Sequence, residues 1–166
     1  MGRIRKFELE TVVDHAVSTF WQHGYEGTPM AELCRSMALQ PGSVYAAFGD
    51  KRQLFIRCLH RYAETVSRQA VERINAKPSG LAGLHDYFEH LVDAMVHGQR
   101  RWGCLLTNSV VEFAGRDTDL SALFQAHFAR LESAFAAALA RARAANELRE
   151  GAGPHDAGLL VAVVQG

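Results

Sequence analysis

Apolar residues Leu9, Val13, Ala16 and Phe20 recur at steps of four, three and four, the stripe of an amphipathic helix, and Gly24 is placed to end it. Thr28 followed by Pro29 reads as the start of a second helix, because threonine can cap free backbone N–H groups and proline suits the first helical position. Met30, Leu33, Cys34 and Met37 then form its buried face. Pro41 opens a third helix after a gap short enough for the tight turn of a helix-turn-helix. In that helix Val44, Tyr45 and Phe48 can pack back, while Gly42, Ser43, Ala46 and Ala47 leave a small-residue outer face. Gly49 ends it after about two turns. Asp50 with Gln53 supplies the Asp variant of a capping box for a fourth helix.

The fourth helix carries Leu54, Phe55, Cys58, Leu59 and Tyr62 on one side and runs to about Asn75, where Asn-Ala-Lys-Pro-Ser-Gly breaks it. Its length suits a connector between two modules. Leu84, Tyr87, Phe88, Leu91, Met95 and Val96 mark a fifth helix that closes near Gly98. The stretch GCLLTNSVVEFAG predicts a shorter sixth, apolar nearly all round and therefore expected to be buried. From Asp117 to about Asn146 runs a long pattern with Leu120, Leu123, Phe124, Phe128, Leu131, Phe135 and Leu139 on one face. REGAGPHDAG interrupts it, and LLVAVVQG begins a further element that the chain does not finish. With no hairpin signal, internal repeat or low-complexity tract, the expected fold is all-α.

The 166 residues are 48% hydrophobic and 22% charged, a globular mixture that excludes disordered and fibrous classes. Lys+Arg and Asp+Glu both number 18, so any contact with nucleic acid must be local. A small positive excess does precede Tyr62, much of it from Arg3, Arg5 and Lys6, which read either as a basic arm or as a solvated terminus. The three cysteines are odd in number and widely spaced, as expected of reduced thiols. The first residues lack the apolar core of a signal peptide, and GLLVAVV is too short to span a bilayer. A cytoplasmic protein without membrane contact is expected.

Chemistry now bears on the third helix. Gln40, Pro41, Gly42 and Ser43 place a glycine and a hydroxyl on its first exposed turn, which suits entry into a major groove. Lys51 stands at the start of the fourth helix, where a basic side chain and free N–H groups can jointly hold a phosphate. In order and spacing, Gly24, Thr28, Tyr45, Phe48, Lys51 and Leu54 match a known pattern, and residues 8–62 resemble the DNA-binding domain of TetR/AcrR-type transcriptional regulators. The resemblance implies that Tyr45 and Lys51 contact phosphates, that Thr28 caps the second helix and touches the DNA backbone, and that Gln40, Gly42 and Ser43 face the groove. Where that family often has a glycine-valine-serine turn, this chain has Ala38, Leu39 and Gln40.

The resemblance further implies a helix-turn-helix domain over residues 1–62. A helical effector-binding and dimerisation domain then covers residues 63–166, with its C-terminal end apparently incomplete. The implied function is a homodimeric repressor that binds a palindromic double-stranded DNA operator and is released by a small-molecule effector. Trp102, Asn108, Glu112, Phe113 and His127 are the candidate effector-binding residues, between the connector and the fifth to seventh helices. No cofactor and no metal site are expected, since no soft-ligand pair has a ligand spacing on one helix. Two rivals stay open. One is a helical ligand-binding or enzymatic bundle, with Glu112 and His127 as a conceivable acid/base pair. The other is a metal- or redox-responsive regulator using Cys58 and Cys104.

Overall fold

The computed structural model describes residues 6–98, 102–113 and 118–165. Among them the helices are α1 (Lys6–His23), α2 (Met30–Ser36), α3 (Pro41–Phe48), α4 (Lys51–Asn75), α5 (Gly80–Val96), α6 (Leu105–Phe113), α7 (Thr118–Ala144) and α8 (Ala157–Gln165), with a 3-10 turn at Pro154–Asp156 before the last. The chain divides into two compact units. Residues 1–64 and 105–120 form the first, and residues 65–104 and 121–166 the second.

In the first unit the predicted stripe of α1 is buried at Val13, Ala16 and Phe20, as are Leu33 of α2, Val44 and Phe48 of α3, and Leu54, Phe55 and Leu59 of α4, and the Phe20 ring meets that of Phe55 with centroids 4.8 Å apart. Gly24 takes φ +73° and its N–H bonds to the Phe20 carbonyl, so α1 ends at a conformation that glycine adopts without strain. Outside the core, Arg61 ties α4 to α1 by a two-pronged contact with Asp14 at 2.8 and 2.9 Å.

The sixth helix departs from expectation. Leu105, Leu106 and Ser109 are buried, but Val111 is 78% exposed, so α6 is one-sided rather than enclosed. Its apolar face belongs to the first unit, where the Tyr62 hydroxyl accepts the Leu105 N–H. An apolar run cannot show which of its residues face solvent when the helix is only nine residues long.

In the second unit Ala70 and Ile74 of α4, Leu84, Tyr87 and Leu91 of α5, and Leu131, Phe135 and Leu139 of α7 make one core. Two glycines let α5 approach closely: a Cβ at Gly80 would fall on the Ala138 carbonyl oxygen and 2.7 Å from Ala142 N, and one at Gly83 would fall on the Ile74 carbonyl oxygen. Helix ends are tied by side chains. Arg141 reaches the Ile74 carbonyl and Asn75 Oδ1 at the end of α4, and Ser79 accepts the Ala82 N–H at the start of α5 while donating to Glu147.

Candidate nucleic-acid interface

The first turn of α3 forms because Gln40 is extended (φ −71°, ψ 148°) and its carbonyl already accepts the N–H groups of Ser43 and Val44 at 2.9 and 3.1 Å. Pro41 follows with a preset φ and no N–H to leave unpaired. Val44 and Phe48 point into the core, and Gln40, Pro41 and Gly42 lie exposed with Ser43 half-buried. A Cβ at Gly42 would meet nothing within 4 Å, so no internal packing demands glycine there. Tyr45 corrects one expectation: it does not pack back but is 52% exposed beside this turn. At one residue past Val44 on a 3.6-residue helix it is turned about 100° away from the buried face.

Lys51 begins α4, and its Nζ sits 4.4 Å from the centroid of the Tyr25 ring, a cation–π contact. The helix start beside it is partly satisfied already, because Asp50 Oδ1 accepts the Gln53 N–H at 2.8 Å. The expected set of free N–H groups is thereby reduced. Tyr25 is packed against Phe55 at 4.9 Å and Phe113 at 5.1 Å between ring centroids. Burial, then the nearby Glu26 and Asp50 charges, raises its phenol pKa above the ordinary value, so the ring under Lys51 stays neutral.

Thr28 does not cap α2. The N-cap is Pro29, while Thr28 is fully buried and its hydroxyl donates to the Gly24 carbonyl at 2.6 Å. Its work is to close the turn between α1 and α2, and in that position it is closed to DNA. Arg3 and Arg5 lie outside the described residues, as does the side chain of Lys6.

The five effector candidates are divided between the two units, Asn108, Glu112 and Phe113 in the first and Trp102 and His127 in the second. Glu112 accepts the Tyr25 and Glu26 backbone N–H groups, each at 3.0 Å, and Phe113 stacks on Phe55 with centroids 5.6 Å apart, all within the first unit. His127, in the second unit, is buried with Nδ1 2.7 Å from the buried Ser67 hydroxyl. Asn108 is exposed and Trp102 half-buried. Polar and aromatic residues on neighbouring elements of sequence thus belong to different structural jobs. An open groove of about 650 Å³ runs between α4 and α5 of the second unit, where Gln69, Arg73, Lys77, Asp86, Tyr87 and His90 are among its lining residues. Arg73 and Asp86 are paired across it at 3.0 Å.

Cys58 is fully buried on α4, and burial pushes its thiol pKa well above the ordinary value, opposite to what a reactive thiolate needs. Among the described residues no group of three or more His, Cys, Asp or Glu is placed to hold a metal ion. Among them, too, no helix is long and apolar enough to cross a membrane.

Residues 12–58 match the model of bacterial regulatory proteins of the tetR family, and residues 80–166 match that of the tetracyclin repressor-like C-terminal domain. The chain belongs to the TetR family. Among TetR-family relatives, it is 32% identical over 148 residues to the HTH-type transcriptional regulator YezE of Bacillus subtilis, covering 89% of this chain and 76% of that protein. The HTH-type transcriptional repressor ComR of Escherichia coli is 25% identical, over 89% of this chain and 70% of ComR. A cysteine mutant of the TetR-family regulator CifR, solved with 26-base-pair double-stranded operator DNA, superposes with a TM-score of 0.79 at 25% identity, over 98% of this chain and 85% of that one. The regulatory protein TetR of Rhodobacter sphaeroides shares the fold, with a TM-score of 0.82 at 18% identity over 96% of this chain and 87% of its own.

Proposed function

We propose that this TetR-family regulator is a repressor that binds a palindromic double-stranded operator as a homodimer and is released by a small-molecule effector. Residues 1–62 carry DNA reading and residues 63–166 carry effector binding and dimerisation. The observation that carries the reading is the first turn of α3: exposed, small, free of internal packing at Gly42, and flanked by the exposed Tyr45 and by Lys51. Gln40, Pro41, Gly42 and Ser43 approach base edges, and Tyr45 and Lys51 hold phosphates on either side. The operator-bound CifR and the repressor ComR support that assignment. In a dimer the two reading helices address half-sites about one helical turn apart, roughly 34 Å.

The effector is assigned to the α4–α5 groove, whose charged and hydrogen-bonding lining suits a polar ligand rather than a greasy one. It releases DNA only to the extent that it binds the non-reading arrangement more tightly. No turnover is assigned: Glu112 and His127, the one conceivable acid/base pair, are each engaged in hydrogen bonds of their own unit.

Fluorescence anisotropy with the DNA upstream of the protein's own gene, titrated against salt, tests the reading. Saturable, sequence-selective binding is expected. Lys51→Ala should flatten the log K against log salt slope by about 0.9 per protomer, one phosphate contact each. Equal slopes for the two proteins would remove Lys51 from the phosphate contacts, and unselective binding would sink the repressor reading.

A further inference from the structure

We infer that Glu112 is a positioning residue for DNA binding: its carboxylate holds the turn that carries Tyr25, the ring on which Lys51 rests. The inference rests on the phosphate role proposed above for Lys51. After Gly24 at φ +73°, the successive N–H groups of Tyr25 and Glu26 converge on one carboxylate. Such a concavity of backbone N–H groups is an anion-binding nest. Glu112 fills it with one oxygen per amide, Oε2 on Tyr25 and Oε1 on Glu26, each at 3.0 Å. Ionised acceptors make the stronger class of hydrogen bond.

The fit is close. A Cβ at Gly24 would lie 3.1 Å from Glu112 Oε1, so the same glycine that permits the turn also lets the carboxylate in. The rest of the turn is closed by Thr28, whose N–H reaches the Tyr25 carbonyl and whose hydroxyl reaches that of Gly24. Phe113, next along α6, packs edge-on against the Tyr25 ring. The same ring lies 4.4 Å from Lys51 Nζ.

A lysine has a flexible four-carbon stem and a point charge, so its rotamers must be restricted by something outside itself. Tyr25 supplies the restriction for Lys51, and Glu112 fixes Tyr25 through its backbone. Neither Glu112 nor Tyr25 needs to touch DNA for this to act.

The test is a double-mutant cycle in the full chain with Glu112→Gln and Lys51→Ala, read as operator affinity against salt. Glutamine keeps the shape but has one acceptor oxygen for two amides. Glu112→Gln alone should flatten the salt slope toward that of Lys51→Ala, and in the Lys51→Ala background it should change neither slope nor affinity. Amide hydrogen exchange should quicken selectively at Tyr25 and Glu26. A wild-type slope in Glu112→Gln, beside a flattened one in Lys51→Ala, would overturn the inference and leave the phosphate reading standing. An equal loss of affinity in both backgrounds would also overturn it, as the mark of a merely structural residue. A wild-type slope in Lys51→Ala sinks both readings together. Should the glutamine variant not fold, Glu112→Asp withdraws the carboxylate by one methylene and carries the same expectations.

Discussion

Phe20, Tyr25, Phe55 and Phe113 fill the first unit with rings whose neighbouring centroids lie between 4.8 and 6.2 Å apart. In the second unit Gly80 and Gly83 bring α5 directly against the backbones of α7 and α4. A ring cluster transmits position through side chains that can be trimmed or tilted one at a time. A glycine seam has no side chain between its partners to yield, so a misfit there must move a whole helix. The unit that carries the proposed reading turn is therefore adjustable in detail, while in the other, whose rings Tyr87, Phe88 and Phe135 also pack together, the spacing of α5 from α7 and α4 is fixed at the glycines.

The largest expected effect tests the first half of that contrast. Phe55→Ala removes a fully buried ring shared by Phe20, Tyr25 and Phe113, and should destabilise by about 3–5 kcal/mol in urea unfolding. A cost under about 1 kcal/mol would mean that the rings close over the gap. Next comes Gly80→Ala, which forces one methyl into the α5–α7 seam and should cost about 1–3 kcal/mol. An unchanged melting temperature would show the seam to be as compliant as the rings. The smallest effect on stability belongs to Gly42→Ala. Open space around that position and a better helix former should leave stability unchanged or raised by about 0.4–1 kcal/mol, while operator affinity falls. Retained affinity would show that DNA does not approach the backbone at Gly42.

The order of helices was legible from the apolar stripes, and α4 ends at Asn75 as the Lys-Pro-Ser-Gly break predicts. Local signals carried that far because each is a property of neighbouring residues. Thr28 shows where they stop: Thr-Pro reads as cap and first turn, yet Pro29 is the cap, and the threonine hydroxyl turns back to Gly24. The competing carbonyl lies four residues upstream, within reach only once Gly24 has bent the chain. Tyr45 read as both a packing and a phosphate residue, and its exposed position on the helix removes the packing role.

Glu112 was harder still. A glutamate near the end of an apolar helix resembles a ligand-pocket residue, and its partners Tyr25 and Glu26 lie 87 and 86 residues away in the chain. The only local trace of the nest was Gly24, which announces a left-handed turn without naming what fills it. Likewise Ser67 and His127, 60 residues apart, become a buried pair only when α4 and α7 are brought together.

Helix α3 has one further consequence. Of its eight residues, Val44 and Phe48 are held by the core, Ser43 is half-buried, and Pro41, Gly42, Tyr45, Ala46 and Ala47 are exposed. On the proposed reading, exposed positions outside the core can change the operator at little cost to the fold, so duplicated copies of such a gene can drift to new operators by single substitutions without first acquiring a stabilising mutation. Divergence of target sequence is in this sense separable from survival of the protein, and one short helix contains both the variable text and its fixed binding.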